Sequence, residues 1–267
     1  MSIRDARVFK VVPNALTIGN SLCGFIAIIY TLRVYDADPG DMLNVFVVSA
    51  WMIFAAMIFD ALDGLAARTF HATSMTGIQM DSLSDMVTFG VAPATLVAIM
   101  THVLRVKLTV AQILVTYALC SIYLGCAALR LAIYNVKAIT EHKNSKSFSG
   151  LPSPGAAAAI CVTIFFVYSL STRETSPVDL YRLAFILPVY AALLGALMVS
   201  NVPYLHVGKW LVSMFRNRRK QLFFALLVVL VIIFRINALA AIVTGYILSG
   251  PLSLLLPKKV RKRIFED

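Results

Sequence analysis

The chain has 267 residues, of which 60% are hydrophobic and only 14% charged, with a formal net charge of +11. A soluble globular domain carries roughly a quarter charged residues, so this composition excludes an ordinary water-soluble fold and indicates an integral membrane protein. The Lys and Arg fall between and beyond the apolar blocks, which argues for anionic lipid headgroups and topology control rather than for nucleic acid.

Apolar blocks of about 20 residues recur along the chain, which predicts helices rather than the shorter alternating strands of a membrane barrel. The expected fold is all-α, a polytopic transmembrane bundle of about eight spans at 14–34, 43–67, 82–104, 109–135, 152–172, 181–200, 220–235 and 237–256. Pro13-Asn14 is expected to open the first span, since proline is tolerated in a first helical turn. Gly150 to Gly155, GLPSPG, punctuates the entry to the fifth. Phe234-Arg235-Ile236-Asn237 is the only polar break between the last two, so a tight turn or one long bent segment is open there. Residues 1–208 are read as a core of about six helices, and 209–267 as a basic loop followed by a C-terminal pair.

Basic residues cluster in the N-terminal segment, in the loop after the fourth span, after the sixth span and at the C-terminus. The positive-inside rule then puts both termini in the cytoplasm, with Arg105 and Lys107 as mild exceptions. No cleavable signal is expected from MSIRDARVFK and the run after it. Cys23, Cys120, Cys126 and Cys161 all lie in apolar stretches without a CxxC spacing, and read as small apolar residues.

Charge reappears abruptly in DALDGLAAR, 60–68, and TGIQMDSLSD, 76–85. Asp60 and Asp63 are three apart and share one helix face, and Asp81 and Asp85 are four apart and share another. A short connection makes the two helices neighbours, so four carboxylates converge near the cytoplasmic interface. Acids inside a membrane helix are costly, and four of them repel one another. One Arg cannot balance four Asp, whereas divalent cations can. Oxygen-only ligands suit Mg²⁺, Mn²⁺ or Ca²⁺. Four carboxylates suffice for two metals about 3.5–4 Å apart, a geometry that clamps both oxygens of a phosphoryl-type displacement. Gly64 and Gly77 remove side chains where a ligand or the other helix must come close. Arg68 can donate a fork of hydrogen bonds to a diphosphate.

The run Asp60-x2-Asp63-Gly64-x2-Ala67-Arg68-x8-Gly77-x3-Asp81-x3-Asp85 resembles the signature of the CDP-alcohol phosphatidyltransferase family at every fixed position. The stretches 13–25, 81–94, 129–135, 148–157 and 197–204 are similar to the serine-using branch of that family. The resemblance implies transfer of the phosphatidyl group from CDP-diacylglycerol to L-serine, with release of CMP, by a homodimer in a bacterial-type inner membrane. It also implies two divalent cations, Mg²⁺ or Mn²⁺. Asp60, Asp63 and Asp81 would hold one, and Asp60, Asp81 and Asp85 the other. Asp85 would also be the general base, Gly64, Arg68 and Ser74 would contact CDP-diacylglycerol, and Asn14 to Thr17 would face the nucleotide. A serine hydroxyl needs such a base at neutral pH.

Several residues admit two readings. Arg130 is either a snorkelling side chain or the partner of a substrate phosphate or of the serine carboxylate, and its LRLAIYN context favours the latter. Asn135 is a weaker candidate for the acceptor site. GLPSPG is a turn or a cover for that site. Ser82 and Ser84 read as packing or supporting residues, His71 as solvated, and RNRRK, 216–220, as a positive-inside anchor. Two alternatives remain. Another acceptor (glycerol 3-phosphate, inositol phosphate or choline) would use the same four Asp. A divalent-cation transporter would place its acids nearer the bilayer midplane, and would not set Arg68 beside them.

Overall fold

The computed structural model describes residues 3–69, 74–105, 108–140, 150–171, 177–204 and 218–255. Within them the chain is helical, with no strand: α1 (Ile3–Leu32), α2 (Met42–Thr69), α3 (Met75–Asp85), α4 (Ala92–Leu104), α5 (Val110–Thr140), α6 (Ser153–Ser171), α7 (Pro177–Val199) and α8 (Arg218–Ser253). His71, the 141–149 loop, the first two residues of RNRRK and the basic tail from 256 lie outside the described residues. Among the described residues, six helical stretches are long and apolar enough to cross a membrane: Val12–Tyr35, Met42–Ala67, Met75–Leu104, Val110–Val136, Ser153–Ser171 and Ile236–Ser253. The protein is thus a polytopic helical bundle. Phe185–Val199 is apolar but shorter.

One boundary differs from the sequence expectation. α1 begins at Ile3, so Pro13 lies inside the helix instead of opening it. A missing N–H costs one i→i−4 bond, which a 30-residue helix absorbs. Of the two readings left open for 220–256, a tight turn or one long segment, the chain follows the second, since Arg218–Ser253 is one continuous helix. Arg235 and Asn237 are polar, but neither removes a backbone donor, and no Gly or Pro falls between them. At about 1.5 Å per residue such a helix is far longer than the roughly 30 Å hydrocarbon core. Among its described side chains, those of the C-terminal part, Ile236, Leu239, Val243, Tyr246 and Ile247, pack on the core.

α3 and α4 form one membrane stretch interrupted by a π-helical segment, Met86–Val91. Its cause is local. Pro93 has no N–H, so the Phe89 carbonyl four residues earlier has no α-helical donor. Tyr123, fully buried on α5, donates its hydroxyl to that carbonyl at 2.8 Å. The widened turn also meets α1 at close range. Thr88 donates to the Asn20 carbonyl at 3.2 Å, and a Cβ built on Gly24 would stand 2.5 Å from Thr88 Oγ1 and 2.9 Å from its Cα. Backbone cannot yield as a flexible side chain can. Gly24→Ala is therefore expected to destabilise the protein by about 1–3 kcal/mol through overpacking, read as a lower thermal midpoint in detergent; an unchanged midpoint would refute this tight contact.

The core runs between α2, α4, α6 and α7, where Phe46, Ile53, Leu96, Met100, Ile160, Ile164 and Leu194 are buried. Large apolar side chains such as Ile18, Leu22, Trp51, Ile58, Leu114 and Leu129 remain exposed on outer faces. A bundle whose solvent is lipid has no reason to bury them.

Candidate active site

The acids sit where α2 ends and α3 begins, with α1 alongside. One carboxylate oxygen each from Asp60, Asp63 and Asp81 lies within 4.8 Å of the others. Asp63 is buried, and Asp60, Asp81 and Asp85 are half-buried. Two carboxylates at that separation repel by about 3 kcal/mol per pair at an effective dielectric near 20. A neutral hydrogen bond contributes only about 1 kcal/mol, so the hydroxyl that reaches Asp63 does not offset this. Asp81 Oδ1 is buried and has no hydrogen-bond partner among the described residues. An all-oxygen donor set with an unpartnered buried oxygen fits a hard divalent cation, of the Mg²⁺, Mn²⁺ or Ca²⁺ type.

α1 supplies the framework. Thr17, buried, places its hydroxyl 3.0 Å from both Asp63 Oδ2 and the Pro13 carbonyl. Asn20, fully buried, donates its amide to Asp85 Oδ1 at 3.1 Å. Ser84, between the two acids of α3, donates to the Thr17 carbonyl at 2.9 Å, which ties α3 to α1. Asp85 therefore stands one turn beyond Asp81, held by α1, and within electrostatic reach of Asp60, Asp81 and Asp63.

The remaining expected residues take these places. Gly64 follows Asp63 on α2. Arg68 continues α2, but its side chain lies outside the described residues. Ser74 caps α3, accepting the Gly77 N–H at 3.0 Å. A Cβ on Gly77 would lie 3.1 Å from Ser74 Oγ and 3.7 Å from Asn14 Oδ1, so Asn14 faces this end of α3. Asn135, on α5, stands 2.7 Å from Ser82 Oγ and accepts from it. Arg130 donates Nη1 to the Leu151 carbonyl at 2.8 Å and lies within electrostatic reach of Asp85.

Asn20 was not among the expected residues. Its signal is present in hindsight, because Asn14, Thr17 and Asn20 recur every three residues in a largely apolar stretch of α1 and so lie along one face. Nothing in the sequence says what that face meets.

Comparison with known proteins fits this geometry. The model of the CDP-alcohol phosphatidyltransferase family matches residues 10–202. A CDP-diacylglycerol–serine O-phosphatidyltransferase of Helicobacter pylori (strain J99) is 31% identical over 207 residues, 76% of each chain. One of Bacillus subtilis is 30% identical over 199 residues, 74% of this chain and 92% of the relative. An archaetidylserine synthase of Methanothermobacter thermautotrophicus is 28% identical over 206 residues, 76% of this chain and 73% of the relative. The family match spans α1 through α7 and takes in every acid of the cluster, and on that ground the protein belongs to the CDP-alcohol phosphatidyltransferase family, as a membrane-embedded transferase.

Proposed function

We propose that the protein transfers the phosphatidyl group of CDP-diacylglycerol to L-serine, releasing CMP, at a site facing the cytoplasm of a bacterial-type inner membrane. The observation that carries this reading is the cluster of Asp60, Asp63 and Asp81 with Asp85 one turn further. The choice of serine is supported by the Helicobacter and Bacillus relatives, which are CDP-diacylglycerol–serine O-phosphatidyltransferases. Cytoplasmic termini, about eight spans and a homodimer belong to the same proposal, the first two supported by the basic clusters and apolar blocks of the sequence.

In the proposed reaction the serine Oγ attacks the phosphorus that carries the diacylglycerol. The new O–P bond forms as the bridging P–O bond of the diphosphate breaks, and CMP leaves with the bridging oxygen and its electron pair. The hydroxyl proton passes to Asp85. Asn20 holds one oxygen of that carboxylate through its amide, leaving the other to take the proton. Asp60, Asp63, Asp81 and Asp85 would hold two divalent cations, which when bound neutralise the diphosphate and make the hydroxyl easier to deprotonate. Thr17 orients Asp63. Asn14, Gly64, Arg68, Ser74 and Gly77 would line the nucleotide and diphosphate side, and Arg130 and Asn135 the acceptor side. A buried reacting centre with acyl chains in lipid lets the product stay in the bilayer while CMP departs to water.

The test is an assay of the purified protein with CDP-diacylglycerol, Mg²⁺ or Mn²⁺, and a panel of L-serine, glycerol 3-phosphate, inositol phosphate and choline. Release of CMP is expected to need both lipid and serine, and to stop with a chelator. Faster turnover of another alcohol would overturn the serine assignment, and cation flux without CMP release would replace the enzyme by a transporter.

A further inference from the structure

α8 lies beyond the residues that the family model matches, yet its last turns pack against the first turn of α6. One anchor is a second proline-freed carbonyl. Pro251, inside α8, has no N–H, so the Ile247 carbonyl lacks its helical donor. The buried Tyr204 donates its hydroxyl there at 3.1 Å, and any Cβ on Gly250 would overlap the Tyr204 ring. Tyr246 completes the contact. Its ring centroid is 5.7 Å from that of Tyr204, tilted by 52°. A Cβ on Gly155 would lie 3.2 Å from Tyr246 Cε1, so the ring lies close over the first turn of α6.

That turn is rigid for reasons of its own. Gly150, at φ +93°, donates to the Val202 carbonyl at 2.8 Å, and Leu151 donates to the Leu197 carbonyl at 3.0 Å. The Leu151 carbonyl is the acceptor for Arg130 Nη1. Arg130 also lies within electrostatic reach of both Tyr246 and Asp85. The chain Tyr204, Tyr246, Gly155, Leu151, Arg130 thus joins α8 to the end of the site where an acceptor with a carboxylate would meet a guanidinium while its hydroxyl faces Asp85.

We propose that Tyr246 is a positioning residue for the acceptor: its ring, set against Tyr204 and Gly155, holds the 150–155 turn and Arg130 where the acceptor's carboxylate is received. This rests on the serine reading given above. The C-terminal helix is then part of the acceptor site and not merely an added membrane anchor.

The experiment compares KM for L-serine and for CDP-diacylglycerol in wild type, Tyr246→Ala and Tyr246→Phe, with thermal midpoints alongside. Tyr246→Ala is expected to raise the serine KM about tenfold while the lipid KM stays within about twofold, and Tyr246→Phe, which keeps the ring, should restore the wild-type value. An unchanged serine KM in Tyr246→Ala overturns the proposal, as does a lower midpoint with both KM values unmoved, which is mere packing. If Tyr246→Ala does not fold, Gly155→Ala displaces the ring by a few tenths of an ångström from a 3.2 Å contact. It should then raise the serine KM in the same direction, and no change overturns the proposal. Should the wild type turn over a different alcohol, the serine reading falls by itself. The same variants are then measured on that alcohol: a raised KM upholds the role of Tyr246, and an unchanged one ends it.

Discussion

Asp85→Asn is expected to lower turnover by about 10²–10⁴-fold, the usual contribution of a positioned general base, with little change in the thermal midpoint. The geometry explains the split. Asn20 donates to Asp85 Oδ1, and an amide at position 85 still offers one oxygen to that donor, so the link between α1 and α3 survives. What disappears is the second carboxylate oxygen and the negative charge that takes the proton. Because Asp85 is also a proposed cation ligand, the rate is to be read as CMP release at saturating Mn²⁺. Wild-type turnover in Asp85→Asn would remove this residue from the base role.

Asp81→Asn is expected to shift the cation concentration for half-maximal activity upward by at least about 10–100-fold, the range seen even for groups that only support metal ligands. Asp60→Asn should behave alike. Both residues belong to the cluster whose oxygens lie within 4.8 Å of one another, and Asp81 Oδ1 is the buried oxygen without a hydrogen-bond partner. Removing a charge also relieves a repulsion of about 3 kcal/mol per pair. Without cations the variant should therefore melt above the wild type, and with saturating cations the wild type should gain more. Cation-dependent melting reads this independently of catalysis. A titration curve and a melting curve both superimposable on those of the wild type would show that Asp81 is no ligand.

The helices are legible in the sequence because lipid imposes a strong condition. Every backbone donor must be satisfied inside its own segment, and the apolar blocks mark where. The ends of those blocks are legible less well. Pro13 looks like an opening residue and lies within α1, because a helix can lose one bond and continue. Arg235 and Asn237 look like a break and are not one, because polarity alone does not unwind a helix. The acids are legible for a different reason, since four carboxylates in a chain that otherwise avoids charge have few physical justifications. Their spacing also states which of them share a face.

What spacing cannot state is which faces meet. Asp60 and Asp63 on α2 and Asp81 on α3 come within reach of one another because Thr17, Asn20 and Ser84 tie α1 to both α2 and α3, and because Gly24 lets α1 approach the π segment ahead of Pro93. Tyr246 is the extreme case: it lies in a stretch without a motif, more than 100 residues from Arg130. The sequence by itself determined the class of protein, the helices and the chemistry of the acids, because composition and periodicity are local quantities. The tertiary structure alone decided that α1 supplies the framework of the acid cluster and that α8 packs on the first turn of α6. Both follow from contacts between distant segments, made where a proline leaves a carbonyl open or a glycine leaves room for a neighbour.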